Sequence, residues 1–208
     1  MTAGTAAEAP AIVTPLRLHR ATVVPEWVDY NGHLSEAYYV LIFGHTTDAL
    51  LDAIGMGAAY RARTGRSVYT VDARIRYLRE VHQGEALEIR TWIAGADAKR
   101  LLVVHRMHRR PHPEAADQPA SHPAGQPAMK SRTEAVAEIE LVLLSVGPAE
   151  PLTPDGRMAE PAQPPQAMPF EAPVLNRVRR IAAAHADAAP ALPDRWRPPA
   201  RKEASMPA

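Results

Sequence analysis

The 208-residue chain has no cysteine. Disulfides, thiolate nucleophiles and cysteine-ligated zinc are thereby excluded, and a reducing compartment is compatible with the composition. No stretch approaches the roughly 20 apolar residues that a membrane-spanning helix requires, and residues 1–10 lack the basic start and apolar core of a secretion signal. The expectation is a cytoplasmic protein with no membrane partner. Neither sign of charge is in excess, since 24 Lys and Arg face 23 Asp and Glu for a formal net charge of +1. The whole-molecule field therefore gives no reason to expect a nucleic-acid partner. A Gly-rich phosphate loop is also absent, which argues against nucleotide hydrolysis.

What is abundant is proline, and it is unevenly placed. Of 21 prolines, all but Pro10, Pro15 and Pro25 lie at or after Pro111. Each one removes a backbone donor and restricts the residue before it, so closely spaced prolines prevent helix and strand alike. The expected organisation is a disordered N-terminus at 1–11 and one domain over 12–147. A Pro-rich hairpin insertion at 111–130 interrupts that domain, and a Pro-rich tail at 148–208 holds a possible helix at 174–185. A composition of 46% hydrophobic and 23% charged residues suits one globular domain with irregular chain attached.

Within the foldable part, residues 16–24 predict a first strand. A helix is expected over 35–54, with Gly55 as its stop. The first half of that helix, from Ala37 to Phe43, is apolar all round apart from two tyrosine hydroxyls, so burial on most sides is expected. Alternating patterns then predict strands at 69–79, 87–93 and 133–146, and a turn at 95–99 leads into a further strand at 100–109. Strand, long helix, then four antiparallel strands is the order in which a curved sheet wraps a helix, an α+β architecture.

The segment Glu26-Trp-Val-Asp-Tyr-Asn-Gly-His-Leu-Ser-Glu-Ala-Tyr-Tyr39 carries the chemistry. It places a carboxylate, Asp29, on a Gly-containing turn just ahead of a helix N-terminus, where unpaired N–H groups and the helix dipole favour developing negative charge. A carboxylate beside an oxyanion site is the minimum equipment for acyl transfer. The plain alternative for Asp29 is an ordinary turn former bonded to nearby N–H groups. His33 has a similar choice between a local helix-entry bond and participation, and the Glu36 side chain can simply complement the dipole. Trp27, Tyr30, Tyr38 and Tyr39 concentrate here in a chain only 5% aromatic. Helix-entry packing is one explanation; a pocket for a quaternary ammonium held by cation–π attraction is the other. Metal binding is not expected. No His-Glu-x-x-His pattern occurs, His105 and His108 should point to opposite faces of a strand, and His45 with Asp48 is only a single pair.

Asp29-x-x-Gly32-His33 leading into a helix with Tyr39, followed by four strands, resembles the hot-dog-fold acyl-CoA thioesterases of the 4-hydroxybenzoyl-CoA thioesterase type. Three longer strings, at 25–33, 75–81 and 95–101, are similar to a narrower branch, the betainyl-CoA thioesterases of carnitine breakdown. The resemblance implies a hot-dog α+β fold, hydrolysis of a small acyl-CoA, and an oligomer, dimer or tetramer, with the site at a subunit interface. It implies Asp29 as the catalytic carboxylate, the Glu36 N–H as oxyanion donor, and His33 as a further catalytic candidate. Trp27, Tyr30, Asn31, Tyr38 and Tyr39 become candidates for substrate binding, and Arg76, Arg79, Lys99 and Arg100 for the phosphates of coenzyme A, by charge and fork geometry. No cofactor is expected, because coenzyme A belongs to the substrate. The chain departs from the pattern at Trp27, where many relatives carry a second aspartate. Thioesterases for aromatic or medium-chain acyl groups, a hot-dog dehydratase and a non-catalytic acyl-CoA-binding protein share the same fold expectation.

Overall fold

Alternation along residues 86–96 puts Leu87, Ile89, Thr91 and Ile93 on one side of a strand and Glu88, Arg90 and Trp92 on the other, and the sheet is built on that pattern. In the computed structural model of the protein, residues 13–110, 134–147 and 165–190 are described. The expected N-terminal segment 1–11 and the insertion 111–130 lie outside them. Five strands, β1 (Leu16–Thr22), β2 (Ser67–Tyr77), β3 (Ala86–Ala96), β4 (Arg100–Arg109) and β5 (Ala135–Gly147), form an antiparallel sheet in the order β1-β3-β4-β5-β2. A two-residue strand, β6 (Gln166–Ala167), adds to the end of β5.

The concave face of the sheet holds helix α1 (Glu36–Ala53). Its buried residues are Tyr39, Ile42, Phe43, Thr46 and Leu50, all on one side of the helix. Burying each large apolar side chain contributes about 1.5–3 kcal/mol. Gly55 ends the helix with φ +81°, and the Gly55 and Met56 N–H groups donate to the Asp52 and Leu51 carbonyls in a Schellman arrangement. Burial on most sides is corrected by the structure: Val40 and Leu41 remain 51% and 41% exposed. A helix resting on one sheet within one chain has only one face to bury.

Strand boundaries shift for local reasons. β2 stops at Tyr77 because the Leu78 and Arg79 N–H groups both donate to the Val136 carbonyl, which turns the chain off the ladder. A short helix not expected from the sequence, α2 (Ala58–Thr64), follows α1 and buries Tyr60. In the tail, α3 (Ala172–His185) is longer than the expected 174–185 and joins the core through Val174, Val178 and Ile181. The folded unit thus includes chain beyond residue 147. β1 begins opposite Thr91, and the next outward N–H of β3, at Ile93, donates to His185 Nδ1 at 3.0 Å. The buried imidazole of α3 covers a strand edge that would otherwise hold an unpaired donor. No helix among the described residues is long and apolar enough to cross a membrane.

Candidate active site

After β1, a 3-10 turn (Pro25–Trp27) delivers the chain to the loop that carries Asp29. Val28 and Leu34 form an isolated antiparallel bridge, and the Asp29 N–H donates to the His33 carbonyl at 2.9 Å. The loop between them closes with Gly32 at φ +83°, a conformation that L side chains rarely adopt. Leu34 N–H donates to the Val81 carbonyl at 2.7 Å and Ser35 N–H to Trp27 at 2.9 Å, which fixes the loop against the chain after β2 and sets the entry to α1.

Asp29 Oδ1 accepts the Asn31 N–H at 2.8 Å and the His33 N–H at 3.4 Å, while Oδ2 has only a 3.4 Å contact from Asn31 Nδ2. Partial desolvation opposes ionisation, but the donors from Asn31 and His33 outweigh it and hold the carboxyl below the usual aspartate range. Asp29 is therefore a turn former and an ionised carboxylate at once, with one oxygen committed to the turn and the other largely open. The α1 N-terminus lies a few residues beyond, and no side chain caps it. The Tyr38 N–H donates to the Ser35 carbonyl at 3.0 Å, and the Glu36 and Ala37 N–H groups before it have no intrahelical acceptor.

A cavity of about 350 Å³ opens beside this helix end, lined by His33, Leu34, Glu36, Tyr39, Tyr77, Leu78, Arg79 and Glu80. His33 and Glu36 thus face it; Asp29 is not among its lining residues within one chain. His33 Nε2 lies 3.3 Å from Glu80 Oε2. Tyr39 is 4% exposed, packs edge-on to Tyr77 and donates to the Arg79 carbonyl at 3.4 Å. Burial first, then Glu85 and Tyr77, push the Tyr39 hydroxyl up to about 12, so it is a neutral donor at ordinary pH. The Tyr77 hydroxyl is also raised, by desolvation and then by the Glu36 carboxylate.

The expected aromatic group is divided by the structure. Trp27 and Tyr38 stack on one another at 5.5 Å, Tyr39 faces the cavity, and Tyr30 is 97% exposed. The cationic group is also divided. Arg76 pairs with Glu138 and Glu140 on the outer sheet face, and Arg79 pairs with Glu134 at the cavity rim. Lys99 reaches the Ala167 carbonyl and Arg100 pairs with Asp97. Arg79 lies against Val136 and Arg100 opposite Leu144, about 26 Å apart along β5 at roughly 3.3 Å per residue. One chain does not gather these four around one phosphate group. Sequence reasoning missed Tyr77 and Glu80; Tyr77 had the signal of a concave-face position at the end of β2, while Glu80 lies in a loop with no periodicity.

Residues 23–151 match the family model of the thioesterase-like superfamily. The chain belongs to that superfamily. As a thioesterase-like protein it is 34% identical over 170 residues to a betainyl-CoA thioesterase of Pseudomonas aeruginosa, covering 82% of this chain and 86% of that one. A 91-residue stretch is 52% identical to part of an L-carnitine dehydrogenase/betainyl-CoA thioesterase of Agrobacterium fabrum, 44% of this chain and 19% of that one. Among solved structures, a candidate thioesterase of Pseudomonas putida KT2440 superposes with a TM-score of 0.59 at 30% identity, covering 94% and 99% of the two chains. A 4-hydroxybenzoyl-CoA thioesterase superposes at 0.57 with 10% identity over 77% and 96%, a likeness of fold alone. The hot-dog expectation holds: the sheet curls around α1 as the resemblance implied.

Proposed function

We propose that the chain hydrolyses a small acyl-CoA thioester, with betainyl-CoA the favoured substrate, in the cytoplasm. The observation that carries the reaction is the ionised Asp29 carboxylate held one loop ahead of the uncapped α1 N-terminus. Through Oδ2, Asp29 attacks the thioester carbonyl or draws a proton from the attacking water. The Glu36 N–H stabilises the oxyanion, the C–S bond breaks, and the CoA thiolate leaves and takes up a proton; where Asp29 itself attacked, water then cleaves the acyl–Asp29 anhydride, freeing the acid and regenerating the carboxylate. Similarity to relatives named for betainyl-CoA supports the acyl group. So does the cavity lining: Tyr39, Tyr77 and the Glu36 carboxylate suit a trimethylammonium head, through cation–π attraction and charge. No cofactor enters this scheme, and coenzyme A arrives with the substrate.

A panel of acyl-CoA esters tests the assignment. Betainyl-CoA is expected to turn over with kcat/KM at least about tenfold above its neutral isostere, a difference of ~1.4 kcal/mol within the range of a desolvated cation–π contact. Turnover of aromatic or medium-chain esters with betainyl-CoA untouched would move the substrate elsewhere in the superfamily. No thiol release from any ester would favour a non-catalytic acyl-CoA binder.

The working unit we infer is a homodimer or a higher assembly. β2 is a sheet edge with Tyr69 and Val71 at 44% and 53% exposure, and its Val68 and Thr70 line one cleft with the exposed Val40 and Leu41 of α1. An apolar edge strand next to an apolar helix flank favours pairing with a second copy across a two-fold axis. Sedimentation of the wild type should give at least a dimer at micromolar concentration. Leu41→Asp, on a surface exposed in the single chain, should give a folded monomer with most activity lost. A monomeric wild type would refute the assembly.

A further inference from the structure

We propose that His33, Glu80 and His82 bind one transition-metal dication of the zinc class at the rim of the cavity. The ligand atoms of these three side chains all lie within 4.8 Å of one another. His33 Nε2 and Glu80 Oε2 are 3.3 Å apart, the separation expected of two ligands each about 2.0–2.1 Å from a tetrahedral zinc. The His33 and His82 rings stand 4.9 Å apart, edge to face at 65°. An ordinary imidazolium–carboxylate pair accounts for His33 with Glu80, but it gives no role to His82.

Backbone bonds hold the three together before any ion arrives. Leu34 N–H, next to His33, donates at 2.7 Å to the carbonyl of Val81, the residue between the other two. The His33 carbonyl is pinned by the Asp29 N–H, and the His82 N–H donates to Glu85 Oε2 at 3.0 Å. His82 Nδ1 lies 3.3 Å from the Gly32 carbonyl. A carbonyl only accepts, so Nδ1 carries the proton and Nε2 keeps the lone pair that a metal uses. This is the carbonyl-supported histidine common around protein-bound zinc. Imidazole and carboxylate together suit zinc and its neighbours rather than calcium or magnesium. Three protein ligands leave a coordination position for water. Because Glu80 and His82 are exposed, the expected affinity is micromolar rather than structural. The ion ties the loop after β2 to the turn that carries Asp29, and it has no part in the hydrolysis proposed above. The inference therefore stands or falls apart from the substrate assignment.

Calorimetric titration of the chelator-treated full chain with Zn²⁺ tests the site without any activity measurement. Wild type should bind about one equivalent at this site, with a melting temperature that rises with added Zn²⁺ as ligand linkage requires. His82→Ala and Glu80→Gln should each weaken that binding at least about tenfold and abolish the rise, while their metal-free melting temperatures match the wild type. Both positions are exposed, so the fold is preserved in the comparison. Absence of saturable binding below millimolar Zn²⁺ would overturn the site. So would binding left unchanged by both substitutions, which would place the ion elsewhere, for example at the His19–His45 ring pair.

Discussion

Asp29→Asn should release thiol from its best thioester about 10³-fold more slowly than wild type, within the ~10²–10⁴ that a positioned acid–base group supplies, while its melting temperature stays nearly unchanged. The two halves of that expectation come from the two oxygens. An asparagine carbonyl oxygen can still accept the Asn31 and His33 N–H groups that Oδ1 accepts now, so the turn and the entry to α1 survive. What is lost is the negative charge at Oδ2, which a neutral amide can replace neither as a nucleophile nor as a base. The residual rate comes from the helix N-terminus and from substrate positioning. Because donors hold the Asp29 carboxyl below the usual range, wild-type activity should show no Asp29 titration between pH 5 and 8. A cysteine-free chain adds no protein thiol to a colorimetric assay of released CoA, so even a thousandth of the wild-type rate is measurable. Equal rates for the two proteins would remove Asp29 from the mechanism.

The fold should lose stability steeply in mild acid because of His105. This histidine, paired with Thr91 across β3 and β4, faces α1 on the concave side of the sheet and is fully buried. Thr47 Oγ1 donates to the Phe43 carbonyl, so it accepts from His105 Nε2–H at 3.1 Å; Thr91 Oγ1 then donates to Nδ1 at 2.8 Å. Phe43 stacks on the ring. Every hydrogen-bonding position of the neutral imidazole is satisfied, and no carboxylate is among these contacts to compensate a second proton. Burial accordingly lowers the pKa from 6.5 to about 3.

The unfolded chain takes up a proton near pH 6.5 and the folded chain only near 3, so the unfolded state binds more protons between those values. Stability is full above pH 6.5 and declines as pH falls through that window. At pH 4.5 the loss from this group alone is about 2–3 kcal/mol, at ~1.4 kcal/mol per pH unit. His185 is also lowered, by desolvation, and adds in the same direction. The depressed carboxylates Asp29, Glu88 and Asp97 start to cost stability only lower on the scale. Urea unfolding at pH 7.0 and 4.5 measures the loss, and His105→Gln, which hydrogen-bonds but does not titrate, should reduce the difference by most of the His105 share. A His105 imidazole that titrates by NMR near pH 6.5 in the folded protein would refute the account.

Local chemistry made much of this legible from sequence. Period-two alternation located β3 and β5, because a sheet with one apolar face imposes that pattern on a strand, and the turn at 95–99 located β4 between them. Gly55 marked the end of α1 because few other residues adopt its φ at low cost. The Asp29 loop was recognisable because Asp, Asn and Gly each bond or bend the backbone within four residues, where no tertiary partner is needed. α3 was less legible. Its apolar positions indicated a helix near 174, but that the helix closes the β3 edge through His185 depends on a contact between residues 92 apart in sequence.

The sequence by itself determined the class of fold, the Asp29 turn and the helix that follows it, since each depends on periodicity or on bonds between near neighbours. Only the tertiary structure decided which side chains share a site. It brought Tyr77 and Glu80 to the cavity with His33 and Glu36, set Tyr30 out in solvent, and kept Arg100 far from Arg79. Such groupings follow from strand register and from where the chain leaves the sheet at Tyr77, and neither leaves a local mark in the order of residues.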